Sequence, residues 1–237
     1  MLKALVFDFD GVIVDTETQW YYIYRDWLKK AYHYDLRIQD YLVCVGSSSE
    51  RLFAFLKQKL GTDEDIRKFE KQAMSEFIER TRNLPAMEGV AELVTAAKEK
   101  GLRLAIATSA TRKKPQVHLE RLQLLEYFDA FSTAELSRHI KPAPDIFVKA
   151  AELLGCSCTE CLAIEDSRNG LIAATRAGMP CLIVPNKITE SSDFTGCYRK
   201  PVSYTHLDVY KRQLRYRHQI MYIRCSLVVY IAAECLL

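Results

Sequence analysis

The chain has 237 residues, of which 49% are hydrophobic and 27% are charged, and its formal net charge is +3 at pH 7. This composition excludes a disordered chain and predicts one good core with a smaller second domain. Met1 leads within two residues into the first predicted strand, so no export signal is expected and the default location is the cytoplasm. The eight cysteines are therefore expected to be reduced thiols.

The first predicted element is a strand over residues 4–8, ALVFD, followed by a long helical segment. Between residues 16 and 85 no strand is predicted, and apolar residues recur every three or four positions. This spacing predicts an all-helical insert and favours a packed bundle core over a cofactor box for its aromatic stripe. The stripes contain Trp20, Ile23, Tyr24, Trp27, Leu28 and Ala31, then Leu52, Leu56 and Leu60, and then Ile66, Phe69, Ala73 and Phe77.

After residue 85, short apolar runs alternate with helical segments. The runs are continuous, which is typical of strands buried on both faces of a parallel sheet. The predicted fold class is α/β, a doubly wound, mostly parallel sheet, with a core domain at residues 1–15 and 86–200 and the helical insert at residues 16–85. The later strands are predicted at residues 103–108, 130–133, 161–166 and 181–186, and the helices at residues 89–100, 112–126, 143–154 and 168–178.

The C-terminal segment, residues 201–237, is expected to lie outside the fold. Residues 201–213, PVSYTHLDVYKRQ, can be encoded by DNA that is an inverted repeat after its first base, and they resemble translated transposon ends joined head to head. We interpret the segment as an assembly scar. Without its five basic and two acidic residues, 28 of each sign remain. A neutral body offers no basic face, so neither nucleic acid nor a membrane is expected as a partner.

Polar residues follow three of the predicted strands. Ligands of open α/β sheets bind beyond the carboxyl ends of the strands, so we expect these residues to meet there. Lys141 opens the motif KPAPDIF before a predicted helix, where two prolines stiffen the chain. Each motif alone has an ordinary explanation as a turn or a helix cap. The strand-end residues are Asp8 and Asp10, Thr108 and Ser109, and Glu165 and Asp166.

The neighbouring carboxylates of Asp8 and Asp10 require a compensating charge. Two such groups about 4 Å apart repel by ~4 kcal/mol at an effective dielectric constant of 20. Mg²⁺ takes hard oxygen ligands, so this ion together with Lys141 would offset the repulsion. Asp8 is then expected to attack a phosphoryl group as a nucleophile and form an aspartyl-phosphate. Asp10 is expected to act first as general acid and then as general base.

Four ordered motifs, DFDGV, the strand-end TS, KPAPDIF and IEDSRNGLIAATRAGM, carry a family resemblance over residues 1–200. They resemble the haloacid dehalogenase superfamily, in particular its β-phosphoglucomutase-like phosphatase branch with a helical, C1-type cap. The resemblance implies catalytic roles for Asp8, Asp10, Thr108 and Lys141, phosphate binding by these residues and Ser109, and Mg²⁺ binding by Asp8, Asp10, Glu165 and Asp166. Asp10 would give the metal its backbone carbonyl.

The motifs also indicate which of the activities of this superfamily the chain has. Dehalogenases and phosphonate-cleaving relatives lack an aspartate two residues after the nucleophile, so Asp10 favours phosphate esters. β-Phosphoglucomutases resemble the chain less, because Trp20 and Ser49 stand where they carry a cap histidine and a cap-loop arginine. The prediction is a Mg²⁺-dependent phosphatase that acts on a small phosphorylated metabolite. A phosphosugar mutase, for which a shifted alignment would supply Arg51, and an impaired, binding-only member remain alternatives.

Two further expectations concern the surroundings of this site. The cap is expected to close over it and exclude water, with residues 46–49 as candidates for substrate selection. The cysteines Cys156, Cys158 and Cys161 are expected to form a loop before the fourth strand, because a structural zinc needs four ligands and no second pair accompanies them. The protein is expected to be a monomer.

Overall fold

The computed structural model of the chain describes residues 2–61 and 64–198. The predicted assembly scar, residues 201–237, lies outside the described residues. Within them, five strands form one parallel sheet in the order β3-β2-β1-β4-β5. The strands are β1 (Ala4–Phe7), β2 (Arg103–Ala107), β3 (Ala130–Ser132), β4 (Cys161–Glu165) and β5 (Cys181–Ile183).

Helices cover both faces of this sheet and form the insert that follows β1. None of the described helices has both the length and the apolar content to cross a membrane. The helices are α1 (Thr16–Tyr32), α2 (Ile38–Tyr41), α3 (Glu50–Leu60), α4 (Glu64–Thr81), α5 (Val90–Glu99), α6 (Lys113–Arg121), α7 (Asp145–Leu154) and α8 (Arg168–Arg176).

The two faces of the sheet carry apolar side chains of different size. Along a strand, side chains alternate between the faces. Leu5 and Phe7 pack in the cluster that contains residues of α5 and α6, whereas Ala4 and Val6 pack with residues of α7 and α8. Because both faces are covered, the strands are mostly apolar, and their polar residues, Arg103, Ser132 and Glu165, stand at strand ends. The predicted α/β fold with a doubly wound parallel sheet is confirmed.

Two element boundaries differ from the prediction by three residues or more. The helix predicted at residues 112–126 ends at Arg121 and is followed by a 3-10 turn, Leu125–Tyr127. Between them Gln123 has a φ of 58°, a left-handed conformation that ends the helix without a glycine or proline in the sequence. The strand predicted at residues 181–186 ends at Ile183, and Pro185 has no N–H to extend the ladder.

The four helices α1 to α4, here called the cap, pack around aromatic side chains. Trp27 stacks on Phe69 with ring centroids 4.2 Å apart, and Trp20 stacks on Phe77 at 4.3 Å. These rings belong to the predicted stripes, which form apolar clusters inside the cap. Ile188, from the loop after β5, joins the larger cluster and connects the cap to the sheet domain.

Candidate active site

The carboxyl edge of the sheet brings the strand-end residues together. The ladder pairs Phe7 of β1 with Ile106 of β2 and with Ile164 of β4, so the residues that follow these strands emerge side by side. The Asp8 backbone N–H donates to the Ile164 carbonyl at 2.9 Å. At this edge lie the buried residues Asp8, Thr108, Lys141, Glu165 and Asp166 and the partly exposed Asp10 and Ser109.

Lys141 is the buried cation of the site. Its Nζ lies 2.7 Å from Asp8 Oδ1 and 2.6 Å from Glu165 Oε1, and the residue is 1% exposed. Burial by itself would lower the pKa of Lys141, but the Asp8 and Glu165 carboxylates outweigh burial and raise that pKa above its usual value. The ammonium group therefore stays charged and holds Asp8 in one orientation.

Three buried carboxylates surround this single ammonium group. Asp8, Glu165 and Asp166 each offer one oxygen, and these oxygens lie within 4.8 Å of one another. Burial is the largest cause that raises the pKa of Asp8; Lys141 lowers this pKa and the charges of Glu165 and Asp10 raise it, and the net value is about 8. Burial also raises the pKa of Asp166 well above its usual value. The cluster thus has more acidic groups than one lysine balances.

Asp166 supplies the test of whether a metal fits here. Its Oδ2 accepts a hydrogen bond from Asn186 Nδ2 at 2.6 Å, but its buried Oδ1 has no partner among the described residues. Leaving a buried carboxylate oxygen unpaired is costly unless a ligand pairs with it. Hard oxygen donors around an unpaired oxygen are the chemistry that Mg²⁺ prefers. The described residues therefore fit this cation.

Both carboxylate oxygens of Glu165 accept hydrogen bonds. Oε1 accepts from Lys141 Nζ, and Oε2 accepts from the backbone N–H of Asp166 at 3.1 Å and from the N–H and hydroxyl of Ser167 at 3.2 and 3.0 Å. Gly170 of α8 makes room for this carboxylate, because a Cβ at that position would overlap it. Glu165 is thus placed to orient Lys141 and the loop that carries Asp166.

Asp10 lies above this floor and faces a cavity. Its Oδ1 accepts from the Thr16 hydroxyl at the start of α1 and lies 2.5 Å from Lys114 Nζ of α6. Gly11, with a φ of +77°, forms the turn after Asp10, and a side chain there would overlap the Asp166 carboxylate. The DFDG turn therefore brings both aspartates to the sheet edge.

The residues after β2 connect the site to the cap. The Thr108 hydroxyl accepts from the Ala110 backbone N–H at 3.0 Å, and the Ser109 hydroxyl donates to the Gly46 carbonyl at 3.1 Å. The Ser47 hydroxyl donates to the Lys141 carbonyl at 2.6 Å. The cap loop that sequence reasoning proposed for substrate selection is thus hydrogen-bonded to two predicted site residues.

Arg51, the residue that a shifted alignment offered to the site, has a different partner. Its Nη1 donates to Asn169 Oδ1 of α8 at 2.6 Å, and Asn169 Nδ2 donates to the Val45 carbonyl at 2.8 Å. Arg51 is not among the residues that line the cavity beside Asp10. Its guanidinium therefore joins the cap to the sheet domain, while Ser49 lines the cavity.

A cavity of about 230 Å³ separates the sheet edge from the cap. Its floor belongs to the sheet domain and its opposite wall belongs to the cap. The floor contains Asp8, Asp10, Thr108, Ser109, Ala110 and Lys114, and the cap wall contains Glu17, Trp20, Tyr24, Tyr41, Ser49 and Glu70 among others.

Several of these residues were not predicted from the sequence. Asn186 follows β5, so the rule that ligands bind beyond the carboxyl ends of strands would have indicated it. Lys114 lies in the first turn of α6, six residues after Thr108, where a cation resembles an ordinary solvated residue. Glu17 lies in the run DTETQ, residues 15–19, which resembles phosphatase members of the superfamily but did not assign Glu17 a role. Glu70 had no sequence signal, because only the packing of the cap places it over the sheet.

Known proteins resemble this chain in sequence. A family model described as "Haloacid dehalogenase-like hydrolase" matches residues 5–184. "Putative phosphatase YhcW" of Bacillus subtilis is 37% identical over 190 residues, which cover 80% of this chain and 86% of YhcW. "Protein CbbY, plasmid" of Cupriavidus necator is 31% identical over 215 residues, which cover 82% of this chain and 83% of the relative.

Solved structures share the fold. A mutant of CbbY from Rhodobacter sphaeroides in complex with xylulose-(1,5)bisphosphate matches with a TM-score of 0.69 and 26% identity, over 88% of this chain and 97% of that chain. A putative β-phosphoglucomutase from Thermotoga maritima matches with a TM-score of 0.65 and 25% identity, over 90% and 100%. The predicted resemblance to the haloacid dehalogenase superfamily is confirmed. The prediction that the chain is an enzyme of this superfamily is also confirmed, since its relatives are named phosphatases.

Proposed function

This chain belongs to the haloacid dehalogenase-like hydrolase family, and from that premise we propose that it is a Mg²⁺-dependent phosphatase of small phosphorylated metabolites, such as sugar phosphates. The observation that carries the proposal is the buried Asp8 carboxylate, 2.7 Å from Lys141 Nζ, next to an Asp166 oxygen without a partner among the described residues. A relative in Thermotoga maritima, 30% identical over 185 residues, is named "Phosphorylated carbohydrates phosphatase".

The metal would be held by Asp8 and Asp166, with the Asp10 backbone carbonyl as a further ligand and Glu165 beside them. A bound Mg²⁺ would offset the negative charge of these carboxylates and of the phosphate. Lys141 keeps the Asp8 carboxylate oriented toward the cavity through its ion pair. With its charge balanced in this way, Asp8 can approach an anionic phosphoryl group.

The chemistry then takes place in two steps. An oxygen of Asp8 attacks phosphorus, the ester oxygen leaves with a proton from Asp10, and an aspartyl-phosphate forms. Asp10 next removes a proton from a water molecule, whose oxygen attacks the phosphorus; the bond between phosphorus and the Asp8 oxygen breaks, which releases inorganic phosphate and restores the Asp8 carboxylate. Thr108 and Ser109 supply the hydroxyl groups of the cavity floor and would bind the phosphoryl oxygens. The cap above the floor limits the access of bulk water.

The test measures inorganic phosphate released from a panel of sugar phosphates and other phosphate esters in the presence of Mg²⁺. The wild-type chain should release phosphate, and Asp8→Asn should lower kcat by about a thousandfold or more, because the nucleophile is lost. Asp26→Asn, an exposed aspartate on α1, is the matched control and should keep full activity. Full activity of Asp8→Asn would contradict the proposal.

The alternatives give other results in the same assay. Isomer formation in place of phosphate release would indicate a phosphosugar mutase, and binding without turnover would indicate an impaired member. The position of Ser49 on the cavity wall and of Arg51 against Asn169 favours hydrolysis, because no arginine of this loop lines the cavity to hold a second phosphate.

A further inference from the structure

The cap wall of the cavity has a chemical character that the proposed hydrolysis does not require. Two carboxylates, Glu17 of α1 and Glu70 of α4, face the cavity together with two phenols. Tyr41 donates its hydroxyl hydrogen to Glu17 Oε2 at 3.2 Å, and Tyr24 donates to Glu70 Oε1 at 2.7 Å. One oxygen of each carboxylate is left without a partner among the described residues.

Positive charge comes from the floor side of the cavity and is outnumbered by the carboxylates. Of the described residues that line the cavity, Lys114 is the single lysine or arginine. Its Nζ lies 2.5 Å from Asp10 Oδ1 on the floor. The buried Lys141 pairs with Asp8 and Glu165. Lys114 also lies over the Phe77 ring of α4 at 5.1 Å, and its charge acts on Glu17, so Asp10 and Glu17 share this cation. Glu70 has no cation of the described cavity lining beside it, and the four carboxylates of that lining, Asp8, Asp10, Glu17 and Glu70, outnumber its one lysine.

We propose that Glu17 and Glu70 select phosphate esters with an uncharged, hydroxyl-rich leaving group and exclude those with a second anionic group. The inference rests on the proposed phosphatase function and identifies the class of substrate. With the reacting phosphate at the floor, the remainder of the molecule extends toward the cap wall. A second phosphate there would meet two carboxylates of its own charge, which disfavours binding.

Hydroxyl groups match the same wall. A hydroxyl donates to a carboxylate oxygen in a charge-assisted hydrogen bond, which is stronger than a neutral one. Trp20, held in place by its stack on Phe77, gives the wall a flat apolar surface suited to the C–H face of a sugar or polyol. The wall therefore offers acceptors and an apolar face together, as recognition of a polyol requires.

The experiment uses the full chain with Mg²⁺ and follows the hydrolysis of p-nitrophenyl phosphate. Fructose 6-phosphate and fructose 1,6-bisphosphate, which differ by one phosphate, compete for the site, and the inhibition constant of each is measured. The monophosphate should bind at least tenfold more tightly than the bisphosphate. Equal or tighter binding of the bisphosphate would overturn the inference, whereas absence of any phosphate release from every ester would instead overturn the proposed function.

Charge reversal on the wall sharpens the test. Glu70→Lys should improve bisphosphate binding relative to monophosphate binding at least tenfold, and Glu70→Gln, which keeps an acceptor for Tyr24, should change the ratio in the same direction by less. Glu76→Lys is the matched control, because Glu76 lies on the same helix but is exposed and pairs with Arg80. An unchanged ratio in both Glu70 variants, or the same change in Glu76→Lys, would contradict the role assigned to the wall.

Discussion

The floor and the cap wall of the cavity both carry carboxylates, but they hold them in different ways. On the floor, Asp8 is 2% exposed and pairs with a buried lysine that is 1% exposed. On the wall, Glu17 and Glu70 are partly exposed, lie on helices and receive hydrogen bonds from tyrosines. The floor carries the cations Lys114 and Lys141, whereas the described wall residues that line the cavity include no cation of their own, and Glu17 is influenced by Lys114 of the floor.

This difference separates two tasks. The floor residues are attached to strand ends, whose relative positions are determined by the sheet ladder. The wall residues are positioned by the packing of aromatic side chains inside the cap, such as the Trp20 and Phe77 stack. Under the proposed function, the chemistry that needs exact geometry lies on the rigid part, and recognition of the leaving group lies on the part that only helix packing positions.

The largest effect is expected from removing the buried cation of the floor. Lys141→Met removes the ammonium group and leaves carboxylates uncompensated, which should lower the free energy of unfolding by about 3–5 kcal/mol. Phosphate release should fall by at least about a hundredfold, because Asp8 loses its orientation. Urea melts measure the first effect and steady-state phosphate release the second. Lys149→Met, on the exposed side of α7, is the control and should change neither.

The second largest effect is expected from metal binding, which should raise the free energy of unfolding. In the metal-free protein the pKa of Asp8 is raised to about 8 from 3.8, so between these pH values the folded state binds a proton that the unfolded chain has released. Stability should therefore fall as pH rises through this window. Mg²⁺ at 100 times its Kd should add about 2.7 kcal/mol.

Melting temperatures with and without Mg²⁺ at pH 6 and pH 8 check this prediction. The shift caused by Mg²⁺ should be larger at pH 8, because the metal binds the deprotonated carboxylates. Asp166→Asn should reduce the shift, and Asp26→Asn should leave it unchanged. A shift that is the same in Asp166→Asn and in the wild-type chain would contradict the assigned ligand.

A smaller effect is expected at the border between floor and wall. Lys114→Met removes one of the two described partners of the Asp10 carboxylate, so this general acid should be less well positioned. We expect kcat to fall by about tenfold with a smaller change in KM. Lys113→Met, the exposed neighbour on α6, serves as the control. A change confined to KM would assign Lys114 to substrate binding instead.

The smallest effect is expected on the wall itself. Tyr41→Phe removes the hydrogen bond to Glu17, a loss of about 0.5–1.5 kcal/mol. We expect weaker binding of sugar monophosphates by that amount, with hydrolysis of p-nitrophenyl phosphate less affected. The matched control is Tyr32→Phe, because Tyr32 donates to Asp65 at 3.0 Å on the exposed surface of the cap. Equal effects of the two changes on KM would remove Tyr41 from substrate recognition.

The floor residues could be predicted from the sequence because the patterns that indicate them are local. A continuous apolar run predicts a buried parallel strand, and the residue that follows it must lie at the carboxyl edge, as Asp8, Thr108 and Asp166 do. The same reasoning missed Asn186, although it follows β5, because its amide resembles ordinary turn chemistry. The roles of these residues and the domain division stay predictions, as do the monomeric state and the cytoplasmic location.

The composition of the cap wall could not be predicted from the sequence, for a physical reason. Glu17 and Glu70 lie 53 residues apart in the chain and reach one surface only because α1 packs against α4. Helical periodicity shows which face of each helix is apolar, but it carries no information on the direction in which a packed helix points its polar residues.

The sequence alone predicted the strands, the apolar stripes of the cap and the reactive groups at the sheet edge, because each depends on residues near one another in sequence. Which residues complete the cavity, with Arg51 turned to Asn169 and Glu17 turned inward, was decided by tertiary packing. That packing depends on contacts between distant segments, and no local pattern encodes their geometry.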